Sequence, residues 1–501
     1  MKLPVEFVTY TRRLLGEETY NQFEEALQME PVTSLRINPQ KAFVDVASSS
    51  VHLTSVPWAS EGYYASERPT FTFDPLFHAG CYYVQEASSM FVEQVIRQYV
   101  SGAVTMLDLC AAPGGKSTHA RSVLPEGSLL VANEVMRNRS QILAENLTKW
   151  GHPDVVVTNN DPADFASLPF AFDVILTDVP CSGEGMFRKD PVAIEEWSPE
   201  NVEICWQRQR RIIADIWPVL KPGGILIYST CTYNTKEDEE NVRWICEEFG
   251  AEPLPLTVND EWQLTGDLQA ERTVSSAVAE EGLQAAEGSS LPVFHFLPHK
   301  TAGEGFFLAA LRKPLADEEA VETTCRSSKS KVSKKKDKKG GAVPALVKKE
   351  HLSLAQSWLR EDIAAGYSCE VEGANLCLIP KLYADEVTAL KQTLKVISAG
   401  VKVGEVKGKD LLPDHALAMS AGLLRPEAFP TEDLSYEQAI AYLRKEAITL
   451  SAEAPRGFVL LTYRNVPLGF VKNIGNRANN LYPQEWRIRS GYLPEELRFF
   501  L

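Results

Sequence analysis

The alternation of apolar and polar stretches along the chain gives the first structural signal. Between about residues 75 and 235, short apolar runs are separated by amphipathic stretches such as 137–150 and 202–220. The apolar runs lie at 105–109, 128–135, 155–158, 173–176 and 225–228. Strands that are apolar throughout and that alternate with helices are typical of a parallel sheet covered on both faces. This pattern predicts a doubly wound, Rossmann-like α/β domain.

The remaining segments predict further units around that domain. The expected units are an N-terminal α+β extension at 1–75, the α/β domain at 76–315, a linker at 316–345, a mixed connecting domain at 346–395 and a smaller, mainly β module at 396–501. Residues 326–339 carry eight Lys or Arg and one Asp among Ser and Gly, which indicates a flexible basic linker able to contact phosphate.

Composition excludes several classes of protein. The formal net charge of -16 argues against a general polyanion binder, so any groove for nucleic acid has to be a local basic patch. No apolar run reaches the length of a membrane span, and the first residues lack the layout of a secretory signal. The nine cysteines form no CxxC pair, so no metal site is predicted. We expect a monomeric cytoplasmic protein with reduced thiols.

A small-residue turn follows the first predicted strand and marks a cofactor site. The turn comprises Cys110, Ala111, Ala112, Pro113, Gly114, Gly115 and Lys116. A strand, a Gly-rich turn and a helix let a ligand approach backbone amides closely. The spacing matches neither the phosphate-binding P-loop nor the dinucleotide GxGxxG fingerprint. It suits a nucleoside without pyrophosphate, such as S-adenosyl-L-methionine.

Three carboxylates end the following strands. Glu134, Asp161 and Asp178 close the second, third and fourth predicted strands. Because open α/β sheets bind ligands at the carboxyl ends of their parallel strands, we expect all three to face the cofactor crevice. Taken singly, each is also explained as an ordinary loop residue, and Asp161, which precedes a proline, as a helix cap.

Two cysteines lie at the ends of the fourth and fifth predicted strands. Cys181 follows Asp178-Val179-Pro180, and Cys231 follows Ser229-Thr230. A thiolate that adds to carbon 6 of a cytosine makes carbon 5 reactive enough to accept a methyl group, which is a reason to place thiols beside such a cofactor. Asp178 is then placed to hydrogen-bond the amide edge of the base. The alternative is that both cysteines are small buried apolar residues.

These motifs closely resemble those of the Nop/Sun family of RNA 5-methylcytosine methyltransferases. The resemblance covers about residues 1–312 and includes the segments 80–90 and 299–307. It implies that Cys231 is the nucleophile and that Cys181 assists release. Residues 469–483 resemble the tail of the bacterial RsmF-type members, which implies a PUA-like RNA-binding module and small-subunit ribosomal RNA as the substrate.

Other interpretations remain open at this point. Related enzymes modify transfer RNA, and a methyltransferase of the same fold acting on DNA or protein, or an RNA-binding assembly factor without catalysis, is also compatible with the fold. Phe187, Arg188, Lys189 and Trp197 are either RNA contacts near the site or part of a solvated loop.

Overall fold

A computed structural model describes residues 1–41, 49, 51–270, 290–315, 347–420 and 422–491. The predicted basic linker at 316–345 lies outside the described residues. The α-helices are α1 (Val5–Leu15), α2 (Glu17–Gln28), α3 (Pro75–His78), α4 (Val92–Tyr99), α5 (Gly115–Val123), α6 (Arg137–Trp150), α7 (Pro191–Glu196), α8 (Pro199–Ile216), α9 (Glu239–Phe249), α10 (Lys349–Ser357), α11 (Glu361–Ala364), α12 (Ala384–Thr393), α13 (His415–Met419) and α14 (Tyr436–Leu443).

A large mixed sheet forms the centre of the molecule. Its strands are β5 (Thr105–Asp108), β6 (Leu129–Asn133), β7 (Val155–Thr158), β8 (Phe172–Asp178), β9 (Leu220–Thr230), β10 (Glu252–Pro253), β11 (Val293–Phe296), β12 (Phe306–Arg312) and β15 (Val396–Ala399). The order is β10-β12-β9-β8-β5-β6-β7-β15, and β11 pairs with β12. Strands β5 to β9 run parallel to one another, whereas β12 and β15 are antiparallel to their neighbours.

Helices cover both faces of this sheet. On one face, α4, α5 and α6 contribute apolar side chains such as Val95, Ala120 and Leu143 to one core. On the other face, α8, α9 and α12 build a second core. Neighbouring residues of β5 point into different cores, Met106 into the first and Leu107 into the second. The strands are therefore buried on both sides, which confirms the predicted doubly wound fold.

The described residues form three smaller sheets besides the central one. The N-terminal sheet has the order β2-β3-β1-β4. Its strands are β1 (Thr33–Ile37), β2 (Leu53–Ser55), β3 (Gly62–Ala65) and β4 (Tyr82–Val84). It shares an apolar core with a C-terminal sheet. In this core, Leu35 and Tyr82 pack in the same cluster as Tyr442 and Leu468. The strands of the C-terminal sheet are β18 (Thr431–Asp433), β19 (Gly457–Tyr463), β20 (Val466–Asn473) and β21 (Ala478–Asn480). The N-terminal sheet and the C-terminal sheet therefore pack together.

The expected domain boundary between residues 395 and 396 falls within one sheet of the structure. A four-stranded sheet of β13 (Tyr367–Glu372), β14 (Asn375–Pro380), β16 (Val401–Lys407) and β17 (Asp410–Pro413) takes strands from both sides of it. Strand β15, which begins at residue 396, joins the central sheet by pairing with β7. The physical reason is that the open edge of β7 needs a partner for its backbone hydrogen-bonding groups, and β15 supplies that partner.

The helices of the described ranges are not of the membrane-spanning kind. None of them combines the length and the apolar composition that crossing a bilayer requires.

Candidate active site

The carboxyl ends of the parallel strands place three predicted site residues and one further carboxylate, Asp108, around one crevice. Asp108 ends β5, Glu134 follows β6, Asp178 ends β8, and Cys231 follows β9. Strands β5, β6, β8 and β9 are neighbours in the sheet, so these four side chains start from adjacent strand ends. This is the crevice in which open α/β sheets bind ligands.

The turn at residues 110–116 is fixed by hydrogen bonds to the neighbouring strand and helix. The amide of Ala111 donates to Asn133 O at 2.8 Å, and the carbonyl of Ala112 accepts from Arg139 Nη2 at 2.7 Å. Gly114 has φ of 114°, a conformation that favours glycine, and α5 begins directly after it. The turn therefore presents backbone to the crevice while its small side chains leave space.

A first cavity of about 570 Å³ opens beside this turn. Its lining includes residues of the turn, all three predicted carboxylates and both predicted cysteines: Cys110, Ala112, Glu134, Asp161, Asp178, Cys181 and Cys231. The carboxylate of Glu134 accepts from the amide of Met136 at 2.8 Å and lies 3.3 Å from Arg139. Asp161 caps the short helix that begins at Pro162, and it also lines the cavity.

A second cavity of about 410 Å³ is also lined by residues of this turn. It is lined by Tyr83, Gln85, Asp108, Lys116, Met186 and Phe306, among others. Four residues line both cavities, namely Cys110, Ala112, Asp178 and Cys231. Two compartments thus meet at the carboxylate and the thiol that the sequence singled out.

Cys231, which lines both cavities, contacts Cys181, which lines the first cavity. The sulfur atoms of Cys181 and Cys231 are 3.0 Å apart, and the amide of Cys231 donates to Cys181 Sγ at 3.3 Å. The hydrogen bond with Cys231, together with burial, raises the pKa of Cys181 well above its usual value. Cys181 therefore stays protonated at neutral pH and can donate a hydrogen bond to the sulfur of Cys231.

Two residues that line the second cavity together with Cys231 form an ion pair. Lys116 Nζ lies 2.9 Å from Asp178 Oδ2, while Asp178 Oδ1 accepts from the hydroxyl of Ser229 at 2.9 Å. Burial lowers the pKa of Lys116, but the carboxylate of Asp178 outweighs that effect and the net pKa is raised. Lys116 is therefore a permanent cation in the wall of the second cavity.

The second cavity contains residues that the sequence did not indicate. Asp108 is fully buried, accepts from Ser117 Oγ at 2.6 Å, and has its pKa raised by burial to about 7. Its position at the end of β5, directly before the turn, was the available signal. Tyr83 and Phe306 come from segments that resembled the family, but nothing in their spacing assigned them to a cavity.

Of the aromatic and basic residues after Cys181, Lys189 is exposed, whereas the side chains of Phe187, Arg188 and Trp197 are buried and do not form a solvated loop. Phe187 and Trp197 pack against Phe7 of α1, with ring centroids 5.1 and 5.6 Å from it. The guanidinium of Arg188 donates to Glu304 Oε2 at 2.7 Å and to Ala26 O at 3.1 Å. These side chains attach the N-terminal helices to the site.

The strand order, the small-residue turn and the cavity beside it define a class I methyltransferase, whose methyl donor is S-adenosylmethionine. Residues 100–312 match the family described as 16S rRNA methyltransferase RsmB/F, residues 3–87 the N-terminal domain of RsmF, and residues 429–488 the RsmF PUA domain. The chain belongs to the family of ribosomal RNA small subunit methyltransferase F.

Individual relatives support this membership over the full length. The ribosomal RNA small subunit methyltransferase F of Cronobacter sakazakii is 30% identical over 507 residues, covering 98% of this chain and 97% of the relative. The protein of that name from Klebsiella pneumoniae is 31% identical, with 95% and 94% covered. Among solved structures, the crystal structure of PH0851 has 23% identity and a TM-score of 0.51, covering 62% of this chain and 66% of that one, which supports the fold.

Proposed function

We propose that this protein methylates carbon 5 of a cytosine in small-subunit ribosomal RNA through a covalent bond between Cys231 and carbon 6 of the base. The observation that carries the proposal is the contact of 3.0 Å between the sulfur of Cys231, which lines both cavities, and the sulfur of Cys181, which lines the first. The choice of ribosomal RNA rests on the names of the relatives, which are small-subunit ribosomal RNA methyltransferases.

The first cavity is the site for the methyl donor. Its volume and its lining suit a nucleoside, because the turn brings backbone close while Glu134 and Asp161 offer carboxylates for ribose and amino groups. When bound, S-adenosylmethionine supplies an electrophilic methyl group on a sulfonium. Asp178 and Cys231 line this cavity as well as the second one, so they lie between donor and acceptor.

The second cavity is the site for the cytosine. Its wall carries the ring of Phe306, with Lys116 Nζ 5.0 Å from the ring centroid, and the carboxylate of Asp178. A base in this cavity has to be unpaired or flipped out of a helix to reach the thiols. The carboxylate of Asp178 is placed to accept from the exocyclic amine, and Lys116 is placed to stabilise charge that forms on the ring.

The two cysteines divide the chemistry between them. The thiolate of Cys231 adds to carbon 6, and the electron pair of the 5,6 double bond takes the methyl group at carbon 5. For release, Cys181 gives its proton to the departing sulfur of Cys231 and receives the carbon 5 proton in exchange. The electrons of the C5–H bond restore the double bond, and those of the C6–S bond return to sulfur.

Substitution of each cysteine tests the assignment. We expect Cys231→Ala to abolish methyl transfer to ribosomal RNA, and Cys181→Ala to accumulate a covalent protein–RNA species that migrates more slowly in a denaturing gel. The reverse outcome, with RNA trapped by the Cys231 variant and normal turnover by the Cys181 variant, exchanges the two roles. Methylation of transfer RNA alone would contradict the proposed substrate, and binding of RNA without any methyl transfer would indicate an assembly factor.

A further inference from the structure

A buried side-chain pair holds the backbone on both sides of Cys181. The carboxylate of Glu237, which has no exposed surface, accepts from the amide of Ser182 at 3.0 Å through Oε2. The side-chain amide of Gln209, on α8, donates to the same oxygen at 2.7 Å and to the carbonyl of Pro180 at 3.0 Å. The residues that flank Cys181 in the chain are therefore both tied to one carboxylate–amide pair.

Further hydrogen bonds leave this pair little freedom to move. Asn234 Nδ2 donates to the other oxygen of Glu237 at 2.9 Å, and Asn241 Nδ2 donates to Gln209 Oε1 at 2.8 Å. Gln209 thus uses its amide as a donor to two acceptors, and its oxygen is also bound. A buried network that is fully satisfied is rigid and geometrically specific.

We propose that Glu237 and Gln209 are positioning residues for Cys181, and that they set the rate at which the covalent RNA intermediate is released. The inference rests on the proposed function, because it concerns the step in which Cys181 exchanges protons with Cys231 and carbon 5. It assigns no contact with the base or the methyl donor to either residue. Proton transfer over the 3.0 Å between the sulfurs needs a fixed distance, which the buried pair provides.

The charge of Glu237 gives this role a pH dependence. Burial, with a further contribution from the carboxylate of Glu184, raises the pKa of Glu237 to about 7. Three donors face the carboxylate of Glu237. When Glu237 is protonated, one of its oxygens becomes a donor, so the hydrogen bonds that hold residues 180–182 weaken. The titratable groups that face Glu237 from the surrounding elements are Cys181, Glu184, Cys205, Tyr228 and Asp238.

The test separates formation of the covalent intermediate from its release in single-turnover reactions of the full-length protein with ribosomal RNA. Glu237→Gln keeps the size of the side chain but turns one acceptor oxygen into a donor. We expect this variant to form the covalent intermediate at a rate within about threefold of the wild-type rate. Its rate of release should be lower on the order of 10- to 100-fold, which is the effect of displacing a reacting group by about 1 Å. The wild-type release rate falls as pH drops through about 7, and the variant lacks this inflection.

Two further variants of the protein serve as a control and as an independent test. Glu203→Gln is the matched control, because Glu203 is partly exposed and its hydrogen-bond partners are Lys236 and Gln207 rather than residues 180–182. Its release rate should equal that of the wild type. Gln209→Met removes both donors at nearly constant volume, so it should also slow release, and it stands in if the Glu237 variant does not fold.

Three results overturn the inference. Release at the wild-type rate in both variants shows that the pair does not position Cys181. An equal loss of formation and release, with cofactor binding retained, shows a general structural role. Failure of the proposed function has a different signature, since the wild type then transfers no methyl group to ribosomal RNA, and the inference falls with it.

Discussion

The ion pair between Arg188 and Glu304 supports a prediction about how the N-terminal helices are held on the site. The side chains are only 5% and 3% exposed, and Arg188 also donates to Gly303 O at 2.5 Å and to Ala26 O near the end of α2. Without Arg188, the buried carboxylate of Glu304 keeps only Lys189 Nζ, at 3.5 Å, as an ion-pair partner. Breaking a buried pair by removing one partner costs about 3–5 kcal/mol. Each 1.4 kcal/mol is roughly a factor of ten in an equilibrium constant. Arg188→Met should therefore increase local opening of this contact by roughly 10²- to 4 × 10³-fold.

Hydrogen exchange measures that opening directly. Amides of α2 and of residues 303–305 should exchange faster in Arg188→Met by that factor, because opening limits their exchange. Arg12→Met is the control: its pair with Glu17 is 43% and 66% exposed, so its loss costs about 0–1 kcal/mol and exchange should change little. Unchanged exchange in the Arg188 variant, together with weaker RNA binding, would refute this reasoning and make Arg188 an RNA contact.

Three further predictions concern the carboxylates of the crevice. Asp178→Asn should lower the single-turnover rate by roughly 10²- to 10³-fold, while calorimetry should find nearly unchanged affinity for the cofactor. Weaker cofactor binding, with a normal rate at saturating cofactor, would show instead that Asp178 binds the cofactor. Glu134→Gln should weaken cofactor binding by about tenfold or more, the value of a charge-assisted hydrogen bond, and an unchanged dissociation constant would contradict its role. Asp108 has its pKa raised from 3.8 to about 7, so the stability it contributes is present below about pH 4 and is lost as pH rises through 7. From pH 5 to pH 8 the unfolding temperature of the wild type should fall more than that of Asp108→Asn, and parallel curves would show that Asp108 does not titrate in this range.

Sequence patterns predicted the parts of the molecule that depend on short stretches of chain. The apolar run at 105–109 became β5 (Thr105–Asp108), and the run at 155–158 became β7 (Val155–Thr158). The small-residue turn and the two strand-end cysteines also lie where the periodicity placed them. Such features follow from local burial and backbone freedom, which a sequence displays directly.

Contacts between distant residues could not be predicted in the same way. Arg188 meets Glu304 and Ala26, which are 116 and 162 positions away, so its sequence environment gave no sign of burial. Strand β15 pairs with β7 although more than 200 residues separate them in the chain, and its short apolar run has no feature that names a partner. Glu237 and Gln209 look like ordinary polar residues, and only the fold brings them to either side of Cys181.

Reaction with ribosomal RNA that carries 5-fluorocytosine is the most direct test of the bond between Cys231 and the base. Fluorine at carbon 5 cannot leave as a proton, so the intermediate should persist after methyl transfer. Peptide mass spectrometry should then find the modified nucleotide on the peptide that contains residue 231, in a cofactor-dependent reaction. A nucleotide attached at Cys181, or methyl transfer with no covalent species, would contradict the mechanism proposed for this site.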